Sequence, residues 1–192
     1  MNKLLIVVTL IVSSFNTQSM SLTYKNIQNC SIAFTTEQQE VLDKVYYSIE
    51  DKTLATTLQG MVILESFIWK SIDRTRAINS YDESYGILHV RPVVAEWVAS
   101  KRGGYQITQD EVKPLLSSSY GDSLSIYIAH QLLLIHLEGG FSLDSSVARY
   151  NAGKYYKNKS GQKYLQSVKD NVKYIQQCGY WGFKEPVPSY YY

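Results

Sequence analysis

The sequence predicts a mainly α-helical, single-domain fold. Apolar residues recur at helical spacing in segment after segment, and the ends of those segments carry residues that start or stop helices. Only residues 72–90 lack the helical period, which marks them as a long irregular loop or a small hairpin.

Taken in order, Thr36 and Gln39 resemble a capping box and precede Val41, Leu42, Val45, Tyr46 and Ile49 on one face. A second helix is expected over residues 53–69. Its apolar stripe is Leu54, Leu58, Met61, Val62 and Ile68, and Glu65 falls on the same face. Pro92 suits a first helical turn and opens a helix through Ala99, which Gly103 and Gly104 stop. Thr108 with Glu111 makes a capping box before a short helix at 112–116. Asp122 is placed to cap a long apolar helix at 124–137, ended by Gly139 and Gly140. Helices follow at 144–150 and 164–176, the latter with Leu165, Val168, Val172 and Ile175 on one side. The intervening loop holds Asn79-Ser80-Tyr81-Asp82-Glu83, and loops of its length in a compact domain are often functional. Residues 187–192, rich in tyrosine, form a candidate surface tail.

A chain of 192 residues suits one domain with a sizeable core. Its 45% hydrophobic and 19% charged content argues against wholesale disorder, and a net charge of +2 selects no partner. Residues 1–20 differ in kind. Lys3 precedes an apolar run from Leu4 to Val12 and a polar, small-residue exit, the pattern of a secretory signal peptide. The run is shorter than the roughly 20 residues a bilayer span needs. Residues 21–192 are thus expected to be an exported domain of the periplasm or cell envelope, with no membrane span after cleavage.

Export changes how the two cysteines are read. Cys30 and Cys178 lie 148 positions apart and could pair in an oxidising compartment, tying together the two ends of the domain. Closing so long a loop is worth about 5 kcal/mol by chain entropy. Two cysteines so distant, with no histidine cluster, do not make a zinc site, and neither metal nor cofactor is expected.

Glu65 is the residue to which chemistry attaches. Helical spacing aims it where Met61 and Val62 point. A carboxyl among apolar groups loses hydration and holds its proton more readily, as a general acid requires. Periodicity alone equally fits a boundary carboxylate paired with Lys70 or Arg74. Three more segments bear on the choice: Ser84-Tyr85-Gly86-Ile87-Leu88-His89-Val90-Arg91-Pro92, Ala148-Arg149-Tyr150-Asn151-Ala152-Gly153, and Tyr164-Leu165-Gln166-Ser167-Val168.

With Glu65-Ser66, these segments resemble the soluble lytic transglycosylase family. That family carries a helical Glu-Ser, a Ser-x-Gly-Leu-Met-Gln-Val-x-Pro loop, an Ala-x-Tyr-Asn-Ala-Gly helix start and a later Tyr-Val pair. Order and approximate spacing match over about 105 residues, within a motif core of 58–176. The resemblance implies a lysozyme-like fold that cleaves the β-1,4 bond between N-acetylmuramic acid and N-acetylglucosamine in peptidoglycan. It implies Glu65 as acid and then base, with the muramyl 6-hydroxyl as nucleophile and a 1,6-anhydro product. It also implies that Ser84 and the backbone at Gly86 line the cleft, where glycine permits close approach of backbone to sugar. Tyr150 and Asn151 would hold the substrate or the carboxyl, and Tyr164 would reach toward Glu65. The plainer role for these residues is packing and capping.

Two positions depart from the family. His89 stands where glutamine is usual, and an imidazole cannot copy an amide's double contact with a sugar. Arg149 replaces a small or apolar residue and is expected to add charge at the groove rim. From Arg149 to Lys173 seven cations face Asp170 alone, interleaved with Tyr155, Tyr156 and Tyr164. Such a patch could steer a polymer bearing carboxylates, or be a solvated helix face. Export argues against nucleic acid.

Hydrolytic glycosidases usually need a second carboxylate. Asp73, Asp82 and Glu83 are the candidates, which keeps a goose-type hydrolase open, as well as an inactive murein-binding assembly protein. Whether the partner beyond glycan strands is a secretion or pilus apparatus, wall recycling or phage entry is not encoded here.

Overall fold

The computed structural model describes residue 30 and residues 33–68, 71–77, 83–103 and 106–179. The expected signal peptide, Trp69, Lys70, residues 78–82 with Asp82, Gly104 and the tyrosine-rich end lie outside the described residues.

The architecture is mainly helical, with seven α-helices among the described residues. Helix α1 is Thr36–Ser48 and α2 is Lys52–Ser66. Two short antiparallel ladders follow: β1, Phe67–Ile68, with β2, Ser71–Ile72, then β3, Thr75–Ala77, with β4, Glu83–Tyr85. The remaining helices are α3, Pro92–Arg102; α4, Gln109–Leu116; α5, Gly121–Glu138; α6, Leu143–Ala152; and α7, Lys159–Cys178. A 3₁₀ turn, Gly153–Tyr155, joins the last two.

The ends of these helices show which signals operate. The first capping box sits one residue earlier than the sequence suggests. Thr35 is extended, its side chain accepts from Gln38 N, and the Gln38 side chain accepts from Thr35 N at 3.0 Å. Gln38 is wholly buried, and its amide also donates to Ser71 O, fastening the start of α1 to β2. Gln39 instead donates to Phe34 O. The Thr108–Glu111 box forms as expected, one turn before Val112. Asp122 does not cap α5: it lies inside the first turn and accepts twice from Arg74 Nε, at 3.0 and 3.1 Å. Residue 121 is glycine because its Cβ would lie 2.0 Å from Leu116 O.

Helix α2 is the centre of the fold, packed on α1, α5 and, most extensively, α7. Leu58, Met61, Val62 and Ile63 on it are wholly buried. At the crossing with α7 a side chain on Gly60 would meet Val172 Cγ2 at 2.8 Å and Val168 O at 3.0 Å, so the two backbones touch. Asn171 Nδ2 donates to Gly60 O at 2.8 Å, giving this apolar seam one buried, satisfied polar contact. Phe34 packs edge-on against both Phe67 and Tyr174, closing the core below the end of α2. Ile68, expected on the stripe of α2, belongs to β1 because the helix ends at Ser66.

Cys30 and Cys178 form a disulfide with Cα atoms 5.3 Å apart, joining the chain before α1 to the last residue of α7. Among the described residues no helix is long and apolar enough to cross a membrane.

Candidate functional site

Glu65 occupies the last turn of α2, where the helix gives way to β1. Its neighbour Ser66 is buried and donates through Oγ to Ile87 O, which ties this helix end to the turn after β4. That turn, residues 86–89, is closed by reciprocal backbone bonds between Tyr85 and Val90 at 2.9 and 3.0 Å. Gly86 and His89 within it adopt left-handed backbone, φ 71° and 45°. Glycine does so without cost, and histidine is among the residues that tolerate it.

The turn aims the His89 ring at Glu65. Nδ1 lies 3.4 Å from Oε2, and the side chains are 4% and 9% exposed. No hydrogen bond reaches Nδ1 among the described residues. On its other edge Nε2 lies 3.3 Å from Asp73 O and 3.9 Å from Asp73 Oδ2. Asp73 is fixed in turn, its N–H donating to Ser66 O and its Oδ1 accepting from Thr75 N.

The remaining walls come from α6 and α7. Tyr164, on α7, donates its hydroxyl to Glu65 Oε1 at 2.8 Å. Tyr150, on α6, donates to Leu88 O at 2.5 Å. Their rings stack with centroids 6.5 Å apart. Burial raises both phenols well above the ordinary tyrosine value, and the Glu65 charge adds to the shift. Both hydroxyls therefore keep their protons and act as donors near neutral pH.

Four sequence-predicted site residues thus gather at one place: Glu65, His89, Tyr150 and Tyr164. The others lie differently. At Gly86 the space a side chain would need is filled: a Cβ there would lie 2.6 Å from Ser125 and 2.8 Å from Gly121 O, so on that side the close approach is to the start of α5. Within the cluster itself, His89 is buried against the carboxyl. Ser84 is buried within β4, opposite Arg76. Asn151 is exposed, its Oδ1 3.5 Å from Ser160 Oγ.

Arg149 packs on aromatic rings. Its guanidinium sits over Phe141 at 4.2 Å and Tyr156 at 5.2 Å, clamping α6 to the segments that flank it. Lys169 of the basic stretch pairs with Asp144. Arg74 is engaged by Glu37 and Asp122. Of the second-carboxylate candidates, Glu83 pairs with Lys113 and accepts from the Tyr85 hydroxyl at 2.5 Å, and these bonds, that with Lys113 foremost, lower its pKa. Among the described candidates it is Asp73 that reaches the cluster, on the far side of His89.

Protein-family models, curated proteins and solved structures gave no match to this chain. What the cluster can do follows from its own atoms. One carboxyl has a neutral phenol donating to one oxygen and an imidazole beside the other, a setting for giving and taking one proton. Glu65 and Asp73 lie against opposite edges of the ring, so they do not converge on a common point. Among the described residues no group of three or more His, Cys, Asp or Glu side chains is disposed to hold a metal ion.

Proposed function

We propose that this chain is a murein lytic transglycosylase of lysozyme-like fold, with Glu65 as its acid and base. The observation that carries the reading is the Tyr164–Glu65 hydrogen bond, because it brings the last motif segment onto the first across 99 positions. Tyr150 and His89, from the two segments between, complete the same cluster. Residues that match a family's pattern only in sequence have no reason to converge on one carboxyl.

In the proposed reaction Glu65 gives its proton to the glycosidic oxygen as the bond from that oxygen to the muramyl anomeric carbon breaks. The carboxylate then takes the proton of the muramyl 6-hydroxyl while that oxygen bonds to the anomeric carbon. One proton leaves and one returns, no water is consumed, and the product is a 1,6-anhydro sugar. Holding the nucleophile inside the substrate replaces a bimolecular step, which can contribute several kcal/mol. Tyr164 steadies the carboxylate between the two transfers, since hydrogen bonds to a charged group are the stronger kind.

The disulfide supports an exported location, because such bonds persist in oxidising compartments. Glycan strands of peptidoglycan are the proposed partner. Replacing Glu65 by Gln tests the assignment: the fold is expected to stay and turnover of purified sacculi to vanish. A folded Glu65→Gln protein with normal turnover would remove it.

A further inference from the structure

The chain between the two stacked phenols carries charge that the chemistry at Glu65 does not use. Tyr150 and Tyr164 stack with centroids 6.5 Å apart, so the segment leaving α6 after one and returning on α7 to the other has both ends at the Glu65 cluster. Residues 153–163 of that segment hold Lys154, Lys157, Lys159 and Lys163 and no acidic residue. All four lysines are exposed, and none forms an ion pair with a described residue. The backbone that carries them is held. Asn158 N donates to Tyr155 O at 2.8 Å, the Asn158 side chain accepts from Gly161 N at 2.9 Å, and Gln162 donates to Tyr156 O at 2.9 Å. Lys154 and Lys157 lie beside the rings of Tyr155 and Tyr156, at 5.0 and 5.7 Å, and Tyr155 is 46% exposed. Lys159 and Lys163 stand in the first two turns of α7, the helix end that favours anions. Cations placed there repel one another and the helix end, and a bound anion removes that conflict.

We propose that this lysine-tyrosine segment is a docking surface for the carboxylates of murein peptide stems, engaged while the glycan from which they hang lies at Glu65. The choice of partner rests on the proposed function, which brings a polymer with free stem carboxylates to the cluster that this segment borders. Charge complementarity then selects the stems over the uncharged sugars between them. The exposed ring of Tyr155 adds apolar contact beside the charges. Each exposed charge contact contributes little, so the surface acts through several at once and weakens as salt rises.

The test measures binding in the Glu65→Gln protein, by cosedimentation with purified sacculi, so that turnover plays no part. Two double variants of equal net charge are compared in that background. One is Lys154→Gln with Lys157→Gln; the control is Lys44→Gln with Lys101→Gln, at exposed lysines of α1 and α3. The first is expected to bind about tenfold more weakly, the effect of two exposed charge contacts, and with a shallower salt dependence; the control should change little. Sacculi stripped of stems by an amidase should bind the Glu65→Gln protein about tenfold more weakly as well. Undiminished binding by the first double, equal loss in both doubles, or full binding to stripped sacculi overturns the proposal. Binding to phosphatidylglycerol vesicles as tight as to sacculi, and lost in the first double, would make a membrane the partner and overturn it too. Stem-dependent binding by a protein whose wild type leaves murein intact would sustain the surface and remove the transglycosylase reading.

Discussion

The Tyr164 hydroxyl donates to Oε1 of Glu65 at 2.8 Å, with its ring stacked on Tyr150. The hydroxyl and the ring therefore have separable duties. Tyr164→Phe keeps the stack and removes only the donor to the carboxyl. A hydrogen bond to a charged group is worth about 2 kcal/mol, so turnover is expected to fall about thirtyfold while the denaturation midpoint shifts little. Equal loss of rate and of stability would make Tyr164 a packing residue.

The two phenols also set a limit at high pH. Their folded-state values lie above the ordinary one, first through burial and then through the Glu65 charge. A group raised on folding contributes stability that is complete below its unfolded value and lost as pH rises through its folded value. Stability is therefore expected to decline above about pH 10, where unfolded tyrosines ionise. Denaturant midpoints between pH 8 and 11 should fall less steeply in Tyr150→Phe and Tyr164→Phe. Parallel curves for the variants and wild type would contradict this.

Gly86 supplies a test of packing against substrate contact. Alanine there would carry φ 71° and press its Cβ to 2.6 Å from Ser125. Left-handed strain and overpacking together are expected to cost about 3 kcal/mol, read from urea unfolding. Activity per folded molecule should stay close to normal, since the crowding falls on α5. A stable variant with lost activity would return Gly86 to the substrate side.

Reducing the Cys30–Cys178 bond frees a loop of 148 positions. Chain entropy gives about 5 kcal/mol for such a closure as an upper bound. The melting temperature is expected to drop in reductant, and to drop equally in Cys178→Ser without it. Unchanged melting in both would mean that the bond constrains little.

Helix existence was legible in the sequence because it depends on local spacing and capping, and all seven helices were expected. Their edges were less so. Thr36-Gln39 and Thr35-Gln38 both offer a capping pair, and only the burial of Gln38 against Ser71 decides between them. Asp122 looked like a cap because its side chain suits one, but a distant arginine claims it. The same limit governs the site. Glu65 and Tyr164 were legible from motif order, whereas the His89–Glu65 contact depends on two left-handed residues in a turn that no periodicity encodes. At Gly86 the packing against Ser125 and Gly121 was not legible, since a glycine in sequence does not reveal which backbone comes close.

In the proposed reaction Glu65 works alone with a nucleophile carried by the substrate. Mass spectrometry of muropeptides released from intact sacculi tests it most directly. The expected products end in 1,6-anhydromuramic acid, lighter by one water than reducing-end products, with none released by Glu65→Gln. Predominantly reducing ends would mean that water attacks the anomeric carbon and that a second group, Asp73 being the nearest candidate among the described residues, serves as its base.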